Sequence, residues 1–194
     1  MFSSRCSGGF SGNFAGVGSF SVHLTYVVRL ALVALALQWL PSNKAHSAVF
    51  TVNNLADAGA GSLREAINSA NANAGPDQIE FSISGNINLA TALPYLTDDG
   101  TEILGDTAPG AGLTPRILID GGIVTSPKTG LKIVDADSNI IQGIELIQFD
   151  TGIAIIDDSK NNLVGGNGDN YRNIVRSCNR GMNLYGLGCE FNTV

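Results

Sequence analysis

Gly130-Leu131-Lys132-Ile133 is the first of three similar segments between residues 130 and 194; the others are Gly152-Ile153-Ala154-Ile155 and Gly181-Met182-Asn183-Leu184. Each segment is followed by an asparagine with two aliphatic or β-branched residues behind it: Asn139-Ile140-Ile141, Asn162-Leu163-Val164 and Asn192-Thr193-Val194. The glycines are 22 and then 29 residues apart, and the asparagines are 23 and then 30 apart. Because both intervals lengthen by seven, the second contains an insertion of that size, which we assign to Gly166–Arg172.

This repeat predicts an all-β solenoid. A period of this length, with short apolar strands and Gly/Asn turns, is typical of chain turns that stack on one another. The apolar residues alternate with others, as Leu131 and Ile133 do, so they are expected on one face of a strand. Stacking then buries one aliphatic column, and each turn contacts only its neighbours. We therefore predict a right-handed parallel β-helix, with its regular turns in residues 130–194.

The last predicted turn is incomplete. Val194 takes the position in its turn that Ile141 and Val164 take in the two turns before it. A solenoid covers its last open edge with a terminal cap, and no such sequence follows the third copy. We therefore expect the turns of residues 130–194 to be truncated and the chain to be the N-terminal piece of a longer protein.

Residues 1–47 are predicted to be a leader with a signal peptide. Leu30–Leu40 is an apolar run preceded by Arg29, and its eleven positions are too few to span a bilayer. Ala45-His46-Ser47 then provides small residues at the positions that a signal peptidase reads, so the mature chain is expected to start at Ala48.

The composition beyond residue 47 excludes some functions. It has 17 acidic and 8 basic residues, a net charge of −9. An acidic chain without a basic stripe is a poor ligand for nucleic acid, so we predict no nucleic-acid partner. Both histidines, His23 and His46, lie in the leader, as does Trp39. A serine nucleophile would therefore have no histidine base.

Cys178 and Cys189 remain after processing. An oxidising compartment would allow a disulfide between them. The alternative is that both are small hydrophobic residues in the interior of the turns. Their offset of 11 residues is half a turn and does not stack them, which favours the second interpretation. Two cysteines without histidine predict no metal site.

Residues 48–105 are predicted to form an N-terminal cap and the first turns. The cap is an amphipathic helix over Ser62–Asn73, stopped by Gly75-Pro76. Ser62 and Glu65 form a capping box, in which the Glu65 carboxylate accepts the backbone N–H of Ser62. One face is apolar, while Arg64, Asn68 and Asn71 are expected to face outward. Residues 106–129 are predicted to be an early turn with a loop excursion, because Asp106–Pro115 is rich in Gly and Pro.

The N-terminal part also resembles a known family. The segments concerned are Phe50-Thr51-Val52, Gly61-Ser62-Leu63-Arg64-Glu65-Ala66-Ile67, Asn71-Ala72-Asn73 and Asp77-Gln78-Ile79-Glu80-Phe81. They resemble the cap of the CSLREA family of bacterial exported right-handed β-helix proteins, with Gly61 in place of the family's first cysteine. Asn161–Gly166 and Asn173–Ser177 are similar to the family's turns, so the resemblance covers about Val49 to Val194. It implies a secreted or surface-displayed protein, and a fold more firmly than an activity.

Four aspartates are the strongest candidates for chemistry: Asp135, Asp137, Asp157 and Asp158. Asp135 and Asp158 are 23 residues apart and are expected on one face, where a glycosidase would need two carboxylates. The same oxygens are candidate calcium ligands, and Gly165–Asp169 superficially resembles a calcium-binding repeat. Solvated turn residues and an ordinary loop are the favoured interpretations of these features. Asn139 and Asn162 are interpreted as a stacked ladder with amide-to-amide hydrogen bonds, and Arg172, Arg176 and Arg180 as surface charges.

We therefore predict no catalytic, cofactor-binding or metal-ligating residue and no cofactor. The first functional hypothesis is a non-enzymatic protein that is secreted or displayed at the bacterial cell surface or outer membrane, as a scaffold, adhesin or passenger. Its partner would be an extracellular glycan or a protein surface, and its mature part would not span the membrane. The alternative is a polysaccharide lyase or glycoside hydrolase whose catalytic turns lie beyond residue 194.

Overall fold

The computed structural model describes residues 47–110, 112, 114–125 and 128–194. Almost all of the predicted leader, including its apolar run, lies outside the described residues. The described part is mainly β, with parallel sheets and one α-helix. No helix in this part is both long enough and apolar enough to cross a bilayer.

Twelve short strands and the helix make up the described part. In chain order these elements are β1 (Val49–Val52), α1 (Leu63–Ala72), β2 (Gln78–Phe81), β3 (Gly85–Asn88), β4 (Glu102–Leu104), β5 (Ile117–Asp120), β6 (Thr129–Val134), β7 (Ile140–Gln142), β8 (Ile144–Ile147), β9 (Thr151–Ile156), β10 (Leu163–Val164), β11 (Ile174–Arg176) and β12 (Arg180–Tyr185). Short 3₁₀ turns cover Gly105–Thr107 and Asp169–Tyr171.

The strands form three parallel sheets. Sheet A has the order β1-β2-β4-β7-β10, sheet B the order β3-β5-β8-β11, and sheet C the order β6-β9-β12. From β4 onward the chain visits sheets A, B and C in that order and then returns to A. Each strand therefore pairs with the strand one repeat later in the chain.

The register follows the sequence repeat. Leu131 pairs with Ile153, which in turn pairs with Met182, so the three similar segments lie side by side in sheet C. Leu131, Ile133, Ile153 and Ile155 are buried, which confirms their predicted position on one face. Leu184 is 42% exposed, because β12 is the edge of its sheet and no described strand covers it on that side. The buried faces of all three sheets belong to one hydrophobic cluster.

Helix α1 begins and ends where the sequence predicts, with Ser62 as N-cap and Asn73 as C-cap. Its predicted apolar face is buried against β1 and β2. The capping box differs in one bond. The Ser62 Oγ accepts the Glu65 N–H, but the Glu65 carboxylate accepts the N–H of Gly61, at 2.5 Å, and not that of Ser62. Ser62 instead donates its N–H to the Gly59 carbonyl. Gly61 has φ +72°, which a cysteine would adopt only with strain.

Asn68 is exposed, as predicted, whereas Arg64 and Asn71 are only partly exposed and contact neighbouring loops. Arg64 pairs with Asp57 at 2.6 Å and donates to the carbonyls of Thr91 and Ala92. Asn71 donates to the Tyr95 carbonyl and accepts the Thr97 N–H. The polar face of α1 therefore binds the loop before β4. The carbonyls of that loop need hydrogen-bond donors, and its own irregular backbone does not provide them.

A column of polar residues lies where sheet A begins in each repeat. Asn139 and Asn162 occupy equivalent positions in it, as the ladder prediction requires, but they do not bond amide to amide. The Asn162 Oδ1 accepts the Asn139 backbone N–H at 2.8 Å, and its Nδ2 donates to the Ala136 carbonyl at 3.0 Å. Asn192 makes the same two bonds to Asn162 N–H and the Ser159 carbonyl. Each side chain thus replaces backbone hydrogen bonds that the turn cannot form.

Candidate functional site

The candidate aspartates form a second column, on the exposed side of the same turns. The Asp135 carboxylate accepts the Asp158 backbone N–H at 3.2 Å, so the structure brings these two residues together. The Asp137 carboxylate accepts the N–H of Lys160 at 2.7 Å, and that of Asp99 accepts the N–H of Asp137 at 2.7 Å. Three of these carboxylates therefore satisfy backbone donors of a neighbouring turn.

Lys160 lies beside this column. Its Nζ contacts the Asp158 carboxylate at 2.5 Å. This hydrogen bond is the main reason that the pKa of Lys160 is raised, and the charges of Asp158, Asp137 and Glu190 act in the same direction. Lys160 is thus a cation throughout the physiological pH range, and Asp158 is neutralised by it. Because its pKa is raised, Lys160 releases its proton less readily than a free lysine, so it is a weak general acid at this position.

The described residues contain no group of three or more His, Cys, Asp or Glu side chains arranged to hold a metal ion. Gly165–Asp169, the candidate calcium repeat, lines one wall of a cleft of about 750 Å³. Its floor is apolar and includes Ile153, Val164 and Met182, which are core-facing residues of sheets A and C. This cleft offers a calcium ion few hard oxygen ligands.

The three arginines do not form a helical stripe. Arg176 ends β11 and pairs with the Glu145 carboxylate on the adjacent β8. Arg180 begins β12 and is exposed, and Arg172 follows a 3₁₀ turn. The strand-and-turn context is as predicted, and the two strand residues carry their charges on the outside.

Cys178 and Cys189 are free thiols. Cys178 accepts the N–H of Phe149 at 3.4 Å, and Cys189 accepts from the Asn192 amide at 3.4 Å. Both pack against the hydrophobic cluster. Burial raises the pKa of the Cys189 thiol, so it is a poor nucleophile at neutral pH. This agrees with the interpretation of both residues as small hydrophobic side chains.

A groove lies on the outer side of sheet C, and nothing in the sequence repeat predicts it. The described residues that line it are Ala92, Leu93, Tyr95, Thr129, Gly130, Lys132 and Tyr185, around a volume of about 250 Å³. Tyr95 is 49% exposed and Tyr185 is 55% exposed. The Lys132 Nζ lies 4.2 Å from the centre of the Tyr95 ring, a cation–π contact that fixes the ring. We call these residues the tyrosine groove.

A third group consists of buried polar atoms without partners. Asp77, Thr101 and Asn139 are fully buried, and the Asp77 Oδ2, Thr101 Oγ1 and Asn139 Nδ2 atoms have no hydrogen-bond partner. The Asp98 Oδ2 is likewise buried and unpartnered. Burial raises the pKa of Asp98, and the charges of Asp77 and then Asp99 raise it further. The Asp-Asp pair at 98–99 before a strand is the only trace of this group in the sequence, and it resembles an ordinary turn.

The chain matches no protein-family model, and no curated protein matches its sequence. We therefore base the functional proposal on the residues of the chain itself. Among the surfaces described above, the tyrosine groove combines exposed aromatic rings with a cation and with polar groups. In the aspartate column, the carboxylates of Asp135, Asp137 and Asp158 are instead committed to backbone donors and to Lys160.

Proposed function

We propose that the three sheets are the faces of a right-handed parallel β-helix with α1 as its N-terminal cap. The repeated order of sheets A, B and C along the chain supports this, because one turn then contributes one strand to each face. The single hydrophobic cluster behind the three sheets supports a common interior. The hand follows from the general rule that connections between parallel strands of one sheet are right-handed in about 98% of cases.

We propose further that the protein is exported and acts outside the cytoplasm as a non-enzymatic scaffold of the CSLREA type. The signal-peptide pattern of residues 1–47 and the resemblance of the cap motif support export. The bonds of the candidate aspartates support a structural role for them. Asp135 and Asp137 hold the N–H groups of Asp158 and Lys160, and Asp158 is paired with Lys160.

The tyrosine groove carries the functional part of the proposal. Sugars present apolar C–H faces next to hydroxyl groups, so an exposed ring beside donors and acceptors suits them. Tyr95 and Tyr185 provide two such rings, Lys132 provides a donor, and Thr129 provides a hydroxyl. The proposed partner is therefore an extracellular glycan.

The proposal is tested with the chain that a bacterial host exports from the full-length gene. We expect the exported form to begin at Ala48 and to bind immobilised polysaccharides without cleaving them. Tyr95→Ala should weaken this binding about two- to tenfold, since one well-placed aromatic contact is worth roughly 0.5–1.5 kcal/mol. Phe191→Ala, which removes another exposed aromatic ring, is the control and should leave binding unchanged.

Two results would contradict the proposal. Retention of the chain in the cytoplasm with its N-terminus intact would exclude export. Equal loss of binding in the Tyr95→Ala and Phe191→Ala variants, or no polysaccharide binding at all, would exclude the tyrosine groove as a glycan site; binding to a protein surface would then be the remaining scaffold function.

A further inference from the structure

We propose that Asp77, Asp98 and Thr101 form a binding site for one hard divalent cation, of the calcium type, between two adjacent turns. This site is separate from the aspartate column at Asp135 and Asp158. It also goes beyond the proposed scaffold function, because it makes the N-terminal part of the fold dependent on the calcium content of the medium. We call it the inter-turn site.

The register brings the three residues together. Gln78 pairs with Glu102 in sheet A, so the preceding residues, Asp77 and Thr101, are neighbours across the two strands. The Glu102 N–H donates to the Asp77 carbonyl at 2.8 Å, which fixes this alignment. Asp98 lies three residues before Thr101, in a segment that packs against the residue before Asp77, since a Cβ on Gly100 would lie 3.0 Å from the Pro76 Cβ. Both carboxylates thus lie at the junction of the same two turns.

Each of the three side chains has one oxygen without a hydrogen-bond partner. The Asp77 Oδ1 accepts from the Ala48 N–H at 2.9 Å and from the Asn73 amide at 2.7 Å, while its Oδ2 has no partner. The Asp98 Oδ2 is buried and likewise has no partner. The Thr101 Oγ1, the only polar atom of a fully buried side chain, is also free. Buried polar atoms are nearly always satisfied, so three free oxygens at one junction indicate a ligand.

The charges at this site favour a cation over a water molecule. The charged groups that act on Asp98 are Asp77 and Asp99, and both are negative. A water molecule would satisfy the free atoms but would leave two desolvated negative charges uncompensated, which is costly. A divalent cation neutralises both carboxylates. Calcium accepts carboxylate and other neutral oxygen ligands and completes its shell with water.

Asn139 is suited to hold such a water. Its Oδ1 accepts the Thr101 N–H at 2.7 Å, which fixes the orientation of the amide and leaves Nδ2 unpartnered. In the next two turns the equivalent Nδ2 atoms, of Asn162 and Asn192, donate to the carbonyls of Ala136 and Ser159. Each of these carbonyls lies three residues before the asparagine of the preceding turn. For Asn139 the preceding turn has Thr101 at this position, and the residue three positions before Thr101 is Asp98. The free N–H of Asn139 therefore faces the turn that carries the site and would donate to a water bound to the cation.

The test is a calcium titration of the purified full chain after removal of metals with EDTA. We expect one Ca²⁺ per chain in equilibrium dialysis. The thermal midpoint should rise by about 5–10 °C when free Ca²⁺ exceeds its dissociation constant 100-fold. Asp98→Asn removes one charge, and Thr101→Val removes the hydroxyl while keeping the shape. Both should abolish the bound ion and most of the rise in midpoint. Glu190→Gln, an equal charge change at an exposed residue, should keep both.

Three outcomes would overturn the proposal. The first is an unchanged midpoint with no Ca²⁺ retained by the unmodified chain. The second is retention of one Ca²⁺ by both Asp98→Asn and Thr101→Val, because the ion would then lie elsewhere. The third is a thermal midpoint that does not change with Ca²⁺ but rises when Asp98 is replaced by Asn. This would indicate a proton shared by Asp77 and Asp98. Dialysis measures binding directly, so a variant that is merely less stable still gives an answer at low temperature.

Discussion

Replacement of Asn162 by alanine should lower the free energy of unfolding by about 4 kcal/mol. The side chain is 1% exposed and connects two turns. Its removal leaves the Asn139 N–H and the Ala136 carbonyl without their partners. A buried group that loses its only partner costs roughly 1–3 kcal/mol, and two such groups are left here. The measurement is urea unfolding followed by circular dichroism.

Asn167→Ala is the control for this experiment. Asn167 is exposed in the inserted segment, so the same chemical change there should alter stability by less than about 0.5 kcal/mol. Equal effects of the two substitutions would mean that the polar column does not hold the turns together. Asn162→Asp would separate the two bonds, because it keeps the acceptor for the Asn139 N–H but removes the donor to Ala136.

Replacement of Gly143 by alanine should have an effect of similar size, about 2–5 kcal/mol, for a different reason. Gly143 has φ +67°, a left-handed conformation that costs an L-residue roughly 1–2 kcal/mol. A Cβ at this position would also lie 2.5 Å from the backbone nitrogen of Asp106 and 2.9 Å from the carbonyl carbon of Gly105. Backbone atoms cannot rotate away, so the two turns must separate, and such overpacking costs roughly 1–3 kcal/mol more.

Gly110→Ala separates the two contributions. Gly110 has φ +74°, close to that of Gly143, but the nearest atom to its Cβ would be the Arg116 Nε at 3.9 Å. It should therefore show the conformational cost alone, about 1–2 kcal/mol. Both variants are compared by their midpoints in urea. Equal destabilisation by the two substitutions would show that the turns at Gly105 and Gly143 are not in the close contact described above.

The sequence predicts much of the fold because its signals are local. The helix over Ser62–Asn73 is marked by a cap residue at each end, and the alternation at Leu131 and Ile133 has the period of a strand. The equivalence of Asn139 and Asn162 follows from the repeat. The hydrogen-bond partners of these amides do not follow from the repeat. The backbone N–H of a neighbouring turn becomes a partner only when the turns are stacked in a particular register.

The inter-turn site and the tyrosine groove could not be predicted, because they join residues from different repeats. Asp77 and Thr101 become neighbours only through the pairing of β2 with β4, where no repeated segment marks the register. Tyr95 and Tyr185 are 90 residues apart and meet at the groove only through the folded sheet. The bonds from Arg64 to the carbonyls of Thr91 and Ala92 could not be predicted for the same reason, because these residues are 27 and 28 positions away.

The crystal structure of the exported chain tests the central claim most directly. We expect sheets A, B and C as the faces of one right-handed coil, with Thr101, Asn139 and Asn162 stacked in successive turns and each asparagine bonded to the backbone N–H of the residue above. A coil of the opposite hand, antiparallel pairing between the repeats, or sheets that do not share a common interior would contradict the proposed β-helix.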